Sequence, residues 1–398
     1  MQPFRLVQLG LAIFAMLFGA GSVVYPLCLG RDAGSMVLFA VAGFIVTGVL
    51  VPLIGLISAA LFNGDYKRFL GMAGRWPGMI IAFICMLLLG PLGATPRCIT
   101  LAHGAVHWHV PAISLFIFSV VTAVLIFFAT MRRSMVVELM GKVFGPIKLA
   151  LLFLIIICGL FATAAPLTTV LDSGTAFTRG FTDGYLTLDL IATIFFSALI
   201  VRSIRASMKP EEQGDQAAVA LYGLKAGVIG GSLLGLVYIG FSVVAAQHGL
   251  AIAFIEKRQL LSALAAEVLG APASILANIT TVVACLSTAI ALTTVFAEYL
   301  ASELCGARIK YIHALMITVA MNFAMTNLGF SGIEAVMEPL VVICYPALIV
   351  LSLANAAYVF WGFNYIKEVV IATLLINLVV TGMKNASEIK TIISGILG

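Results

Sequence analysis

The chain has 398 residues, of which 62% are hydrophobic and 10% are charged, and its formal net charge is +5. Soluble domains carry about 25% charged residues, so this chain lacks the polar material to cover a water-facing surface. The positive residues are scattered through short loops, which argues against nucleic acid as a partner and favours an all-α polytopic membrane protein in the lipid bilayer.

Apolar stretches long enough to span a bilayer, about 20 residues each, follow one another along the chain. The run from Leu6 to Gly30 is longer than a signal-peptide core and lacks a convincing cleavage site, so we interpret it as the first span. Connections near 167–184 and 248–270 are the longest, and both are too short for a separate soluble domain. Eleven spans are predicted: 6–30, 33–62, 76–103, 110–130, 145–166, 186–205, 222–247, 271–298, 309–328, 333–356 and 362–383.

The placement of Lys and Arg predicts the orientation, because these residues gather on the cytoplasmic side of membrane proteins. With the N-terminus inside, fifteen of the 22 Lys and Arg residues fall on the inner side and seven on the outer side, Arg97 among the seven. The sequence therefore predicts a cytoplasmic N-terminus and, after eleven spans, a C-terminus outside.

The first span contains FGAGSVVYP, residues 18–26, in which a helix is hard to continue. Gly19 and Gly21 weaken the helix, and Pro26 lacks the N–H that a continuous helix uses. Backbone groups freed inside a bilayer must find partners in the protein or line a cavity. Two interpretations are open: a kinked span with closely packed glycines, or an interrupted span whose outer half Ser22 caps.

The sixth predicted span is unusually short, because its charge-free core covers only residues 190–201, between Asp189 and Arg202. It is either a full span whose ends reach the interface or a second interrupted span. The middle of this core contains Phe195, Phe196 and Ser197.

The two anomalous spans lie five spans apart. Interrupted segments at matching positions in two halves are the best sequence pointer to the midplane site of a transporter. The pattern predicts one transmembrane domain over 1–398 with a 5+5 inverted repeat: repeat one at about 6–166, repeat two at about 186–356, and an extra helix at about 362–383. Half-helix starts suit a substrate carboxylate, and half-helix stops expose carbonyl oxygens that suit sodium.

The eighth span carries a polar face in ACLSTAIALTTVFAEYL, residues 284–300. Ala284, Ser287 and Thr288 stand at i, i+3 and i+4, so they share one face of the helix. A carbonyl and two hydroxyls offer a cation oxygen ligands without fixed charge. The alternative is that the hydroxyls bond to their own helix backbone, as Ser and Thr often do in membranes.

Four segments carry a resemblance to a known family, and GPLGATPR is the most specific of them. They are FGAGSVVYP at 18–26, GPLGATPR at 90–97, GYLTLDLIA at 184–192 with LIVRSIRA at 199–206, and ACLSTAIALTTVFAEYL at 284–300. The sequence resembles, through almost its whole length, the bacterial branched-chain amino acid transporters of the BrnQ type, the LIVCS family of the amino acid–polyamine–organocation superfamily.

The resemblance implies a leucine-transporter-like fold with interrupted helices 1 and 6, in the bacterial cytoplasmic (inner) membrane. It implies symport of leucine, isoleucine and valine into the cell, driven by a sodium gradient, with no cofactor apart from sodium as the coupling ion. The alternatives are a proton-coupled transporter of another small neutral amino acid, a channel, or an intramembrane enzyme. The sequence contains no GxSxG, HExxH or paired intramembrane aspartates, so we expect no enzyme.

The resemblance also implies the residues of two sites. The substrate's amino and carboxylate groups would bind the backbone around Phe18, Gly19, Ala20, Gly21 and Ser22. From span 6, the residues facing the substrate would be Phe195, Phe196 and Ser197. Sodium would bind the carbonyls of Ala15, Phe18 and Ala284 and the hydroxyls of Ser287 and Thr288. Ser22 stands where relatives usually have Asn, and eleven spans are predicted where twelve are usual.

Overall fold

The protein is built from α-helices that follow the predicted spans. A computed structural model describes residues 3–131, 145–163, 165–166, 171–208, 216–306 and 308–397, and these ranges contain no β-strand. The helices of the first half are α1 (Pro3–Leu17), α2 (Gly21–Ala33), α3 (Val37–Ile45), α4 (Val51–Leu61), α5 (Tyr66–Gly71), α6 (Arg75–Leu89), α7 (Ala94–His107), α8 (Leu115–Met131) and α9 (Gly145–Phe161). The helices of the second half are α10 (Ser173–Asp183), α11 (Asp189–Ser207), α12 (Gln216–Gln247), α13 (Leu260–Leu269), α14 (Ala271–Tyr299), α15 (Tyr311–Thr326), α16 (Gly329–Trp361) and α17 (Ile366–Leu397).

Seven helical segments in the described ranges are long and apolar enough to cross a membrane: Gly21–Leu61, Arg75–His107, Ser173–Ala206, Ala218–Gln247, Ala271–Leu304, Gly329–Trp361 and Ile366–Met383. Four shorter apolar helices accompany them: Leu6–Leu17, Leu115–Met131, Leu149–Phe161 and Tyr311–Thr326. Together they cover all eleven predicted spans. The first span consists of α1 and α2, and a π-helical turn joins α3 to α4 in the second.

The outer surface of the protein is apolar where a soluble protein would be polar. Along α17, for example, more than half of the surface of four apolar side chains is exposed: Leu375 (57%), Ile376 (62%), Leu378 (55%) and Val379 (59%). Soluble monomers rarely expose continuous apolar patches of this kind, whereas hydrocarbon chains cover them without cost. The protein is therefore an integral membrane protein.

The start of span 6 differs from the prediction. The segment 173–183, predicted as part of a connection, is the helix α10, and α10 and α11 together form the membrane segment Ser173–Ala206. The polar sequence SGTAFTRGFTD concealed this helix from a search for apolar runs. Asp172 caps it: bonds from the Thr175 hydroxyl and from the N–H groups of Thr175 and Gly174 lower the pKa of the Asp172 carboxyl.

Two further differences concern connections. Span 3, predicted to be continuous, is interrupted between α6 and α7 at residues 90–93, the GPLG of the GPLGATPR segment. The predicted connection over 248–270 contains the short helix α13. The two longest predicted connections, 167–184 and 248–270, are still too short to form a separate soluble domain.

The spans pack in two groups of four. Spans 1 and 2 pack against spans 6 and 7, through contacts of α1 and α2 with α12, of α3 with α10 and of α4 with α11. Spans 3 and 4 pack against spans 8 and 9, through contacts of α7 with α14 and of α8 with α15. Each group combines two spans of one half of the chain with the two corresponding spans of the other half.

Glycines allow spans 2 and 6 to approach closely. A Cβ on Gly43 would collide with the backbone at Phe177, and a Cβ on Gly180 would collide with the backbone at Ala40. The two helices therefore touch backbone to backbone. This contact fixes α10, and with it the interruption that follows α10, against span 2.

Candidate functional site

The interruption in span 1 covers Phe18 to Ala20, between α1 and α2. The Gly19 N–H donates to the Ser22 hydroxyl oxygen at 3.2 Å, so it does not complete the helical bond to the Ala15 carbonyl. The Ser22 hydroxyl donates in turn to the Leu17 carbonyl at 3.4 Å. Ser22 thus bridges the interruption; the expectation that it caps the outer half is wrong, since the N-cap residue of α2 is Ala20, whose side chain makes no cap.

A small cavity of about 20 Å³, partly open, lies beside this interruption. Gly19 and Val23 of span 1 form one wall, and span 8 forms another with Ala284. No atom lies within 4 Å of the position that a Cβ on Gly19 would take, apart from its neighbours in the chain. The remaining lining residues are Leu151, Leu152, Ile155, Leu261, Ala277, Thr280, Thr281 and Cys285. The structure therefore brings together Gly19 of the predicted substrate set and Ala284 of the predicted sodium set.

The predicted sodium ligands of span 8 bond to one another. The Ser287 and Thr288 hydroxyls donate to the Ala284 carbonyl at 2.9 and 3.0 Å. Because Ala284 lies within α14, its carbonyl also accepts the helical N–H of Thr288, and its two lone pairs are fully used. The Ala284 oxygen can bind a cation only if one hydroxyl turns away, although each hydroxyl oxygen keeps lone pairs of its own. The alternative weighed from the sequence, bonding to the helix backbone, is the arrangement in this structure.

The other predicted residues of span 1 are buried. Phe18 stacks on Phe14, with ring centroids 5.3 Å apart, and Ala20 is 4% exposed. Gly21 faces span 6: a Cβ there would lie 3.2 Å from the Thr187 Cα and 3.3 Å from the Leu186 carbonyl oxygen. Gly21 therefore allows the two interruptions to touch.

The structure places the predicted residues of span 6 away from the interruption. The Phe195 ring packs against Tyr66, with centroids 4.7 Å apart. The Ser197 hydroxyl donates to the Ile194 carbonyl at 2.5 Å and to the Gly64 carbonyl at 3.2 Å. Phe196, between them, is half-buried. These residues lie about 9–12 Å along α11 from its start, next to the connection between α4 and α5.

The interruption in span 6 is at 184–188, where a short 3₁₀ turn is followed by Leu188 in the left-handed region, at φ 65°. An ionisable side chain lies on each side of it. The Arg97 guanidinium donates through Nη1 to the Leu186 carbonyl at 2.6 Å and to the Tyr25 hydroxyl at 3.0 Å. On the other side, Asp189 Oδ2 accepts a hydrogen bond from the Tyr238 hydroxyl at 2.6 Å.

Arg97 and Asp189 are candidate functional residues that sequence reasoning missed. Arg97 is 1% exposed and Asp189 is fully buried, so Arg97 does not lie in a water-facing loop. Asp189, taken from the sequence as the edge of a span, lies at its interruption. The available signal was an ionisable residue within an apolar segment, which is costly in a membrane and therefore points to function.

Ion pairs join the end of α2 to α10, and the connection before α13 to α16. Lys257, in the connection before α13, donates to the Glu334 carboxylate of α16 at 2.7 Å. Burial acts to lower the pKa of Lys257, but the carboxylate more than offsets this and the pKa is raised. Asp32, at the end of α2, pairs with Arg31 and with Arg179 of α10. These pairs link spans 1, 6 and 10 and the connection before α13.

Solved structures with this fold are membrane transporters. The inward-facing conformation of Mhp1 matches with a TM-score of 0.64 and 13% identity, over 96% of this chain and 91% of that chain. Mhp1 in a closed conformation, a nucleobase-cation-symport-1 family transporter, matches with a TM-score of 0.59 and 15% identity, over 94% and 91%. At such identities the likeness defines the fold alone, which is a leucine-transporter-like fold with interrupted helices 1 and 6.

Sequence comparison then defines the family. Residues 3–397 match the family described as branched-chain amino acid transport protein, and the chain belongs to it. The branched-chain amino acid permease BraB of Bacillus subtilis is 32% identical over 93% of this chain and 83% of that protein. The branched-chain amino acid transport system 3 carrier protein of Pseudomonas aeruginosa is 29% identical, over 89% and 81%. The permease BrnQ of Salmonella typhimurium is 28% identical, over 88% and 80%.

Proposed function

We propose that this protein carries leucine, isoleucine and valine into the cell by symport with sodium, across the bacterial cytoplasmic membrane and with its N-terminus in the cytoplasm. Membership of the family carries the proposal, because the relatives named above are branched-chain amino acid permeases and carriers. The excess of Lys and Arg on the inner side supports the orientation. The direction and the coupling ion are the parts that experiment must decide.

The cavity beside Gly19 is the proposed substrate site. Its walls suit an aliphatic side chain, since Val23, Leu152, Ile155 and Leu261 line it and none of its lining residues in the described part of the chain is charged. The exposed backbone at Gly19, between two half-helices, suits the amino and carboxylate groups of the substrate. In this proposal the backbone of residues 18–22 binds the substrate, while Phe195, Phe196 and Ser197 act at a distance through the packing of α11.

The proposed sodium site lies between span 1 and span 8. The Ala15 carbonyl, which loses its helical bond to Gly19, supports the site from one side. The Phe18 carbonyl would join it, with the Ser287 and Thr288 hydroxyls on the other side. Sodium would take the place of one hydroxyl donor at the Ala284 carbonyl. That hydroxyl would keep its proton and rotate away when the ion binds.

Uptake of labelled leucine into proteoliposomes, with sodium and proton gradients imposed separately, tests the proposal. We expect uptake with a sodium gradient alone, and we expect isoleucine and valine to compete within about tenfold to a hundredfold of leucine. Lysine and glutamate should not compete, because an unpaired charge would be buried among apolar walls. Effective competition by either would contradict the branched-chain assignment, and uptake driven only by protons would contradict sodium coupling.

A further inference from the structure

We propose that the Asp189 carboxylate is a proton-binding site that is filled and emptied during the transport cycle. This inference goes beyond the sodium symport proposed above and rests only on transport by this chain. Its basis is the geometry of one buried side chain at the interruption in span 6. Asp189 is the first residue of α11 and is 0% exposed.

One oxygen of this carboxylate has a partner and the other does not. Oδ2 accepts a hydrogen bond from the Tyr238 hydroxyl at 2.6 Å. Oδ1 is closed to solvent and has no hydrogen-bond partner among the residues that the structure describes. An ionised carboxylate with a bare buried oxygen is expensive, and such a group usually becomes neutral instead. A proton on Oδ1 removes the charge and leaves the bond from Tyr238 intact, since Oδ2 then accepts as a carbonyl.

The charged and titratable groups around Asp189 do not neutralise it in another way. Arg97, on α7, uses Nη1 for the Leu186 carbonyl and the Tyr25 hydroxyl, and its Nε has no partner. Arg97 thus exerts a field on Asp189 without forming a hydrogen bond to it. Tyr345, on α16, accepts the Leu190 N–H at 3.1 Å. The N–H groups of Asp189 and Ala192 bond to the Thr187 hydroxyl and the Leu188 carbonyl, and among the described residues no N–H bonds to Oδ1.

The surroundings favour a proton over a metal cation. A sodium ion needs several oxygen ligands and the space to reach them, whereas the accessible area of Oδ1 is below 1 Å². The nearby Thr187 hydroxyl already donates to the Gly184 carbonyl at 2.8 Å. A proton needs no space.

The position of Asp189 links its proton to transport. Interrupted helices of transporters lie where one group of spans moves against the other. Leu188, just before Asp189, is held in the left-handed region, a conformation that persists in a non-glycine residue only when its surroundings impose it. When span 6 opens, water reaches the carboxylate and it ionises; when span 6 closes as here, it is buried as the neutral acid.

Infrared spectroscopy of the purified protein tests the site without any transport assay. We expect the carbonyl stretch of a protonated carboxyl at neutral pH, lost in Asp189→Asn and retained at a shifted frequency in Asp189→Glu. The Asn side chain still accepts the bond from Tyr238, so this variant keeps the local packing. Tyr238→Phe removes that bond and should shift the band. A band unchanged in both Asp189→Asn and Tyr238→Phe, or no band in the wild type, overturns the proposal.

Proton movement in vesicles tests the link to transport. With a pH-sensitive dye inside and a leucine gradient imposed, wild-type protein should carry protons together with leucine. Asp189→Asn should lose the proton signal while still exchanging internal for external leucine. Equal proton movement in both proteins would show that Asp189 does not carry the proton. If no leucine moves through the wild type, the proposed function fails, and the infrared result still decides whether Asp189 holds a proton.

Discussion

The interruptions of spans 1 and 6 satisfy their backbones in different ways. In span 1 a neighbour in the sequence, Ser22, bridges the gap, and Gly19 remains turned toward a cavity. In span 6 the partners come from other helices: Arg97 binds the Leu186 carbonyl and Tyr345 accepts from Leu190. The interruption of span 1 is therefore bonded within its own segment and is open to a cavity, whereas the interruption of span 6 is bonded to other helices and is closed. We call them the open and the closed interruption. Changes at span 6 should therefore reduce stability, and changes at span 1 should alter ligand binding.

The largest effect is expected for Arg97→Met, which keeps an unbranched apolar stem but removes the guanidinium donors. The buried Leu186 carbonyl and Tyr25 hydroxyl both lose a charged partner. Each buried group left unsatisfied costs about 1–3 kcal/mol, so thermal unfolding in detergent should occur at a much lower temperature. Tyr25→Phe is the matched control, since it removes one bond of the two and should cost less. An unchanged unfolding temperature in Arg97→Met would mean that Arg97 does not hold the interruption together.

The next effect separates two glycines of span 1. Gly21→Val places methyl groups against the backbone at Leu186 and Thr187, and overpacking of this kind costs about 1–3 kcal/mol. Gly19→Ala extends into open space, so it should leave stability unchanged and raise the leucine concentration needed for half-maximal uptake. Unfolding temperature and uptake measured on both variants check this. Equal losses of stability would contradict the distinction between an open and a closed interruption.

The same contrast explains what sequence reasoning could find. The interruption of span 1 was predictable because the glycines that weaken the helix, Gly19 and Gly21, lie within residues 18–26; Pro26, also predicted to break it, lies inside α2. For span 6 only the anomaly was predictable. Its partners Arg97 and Tyr345 are far away in the sequence, and α10 is too polar to be recognised by hydropathy. The position of the interruption, 184–188, could therefore not be predicted, and the predicted substrate residues Phe195, Phe196 and Ser197 lie about ten residues further along the chain.

The polar groups of span 8 teach a related lesson. The i, i+3, i+4 spacing predicted a shared face, and the structure confirms that Ala284, Ser287 and Thr288 meet. Spacing could not decide whether their oxygens face a cation or one another, because that depends on hydroxyl rotation. Likewise the GPLGATPR segment stood out, but only the fold gives Arg97 its partners in spans 1 and 6.

A smaller effect is expected for Ser22→Ala. This change removes the hydroxyl that accepts from the Gly19 N–H and donates to the Leu17 carbonyl. A net loss of about 1 kcal/mol is typical of such a bond, and the freed Gly19 N–H could return to the Ala15 carbonyl and lengthen α1. Leucine affinity should fall more than the unfolding temperature does. The opposite order would indicate that Ser22 is a packing residue and that the open interruption does not bind the substrate.

The smallest effect on stability is expected for Thr288→Val. This residue lies in span 8, which lines the cavity beside the open interruption of span 1. Valine keeps the shape of threonine and removes only a hydroxyl that bonds to its own helix at 3.0 Å, an arrangement that contributes little to stability. If that hydroxyl is a sodium ligand, the sodium concentration for half-maximal uptake should rise by about tenfold, which is about 1.4 kcal/mol of binding.

Thr294→Val is the matched control, because Thr294 makes the same kind of bond, to the Ile290 carbonyl at 2.9 Å, and is also half-buried. Its sodium response should stay that of the wild type. Identical sodium responses in both variants would return the Thr288 hydroxyl to a purely structural role, and would leave the Asp189 carboxylate as the stronger candidate for coupling.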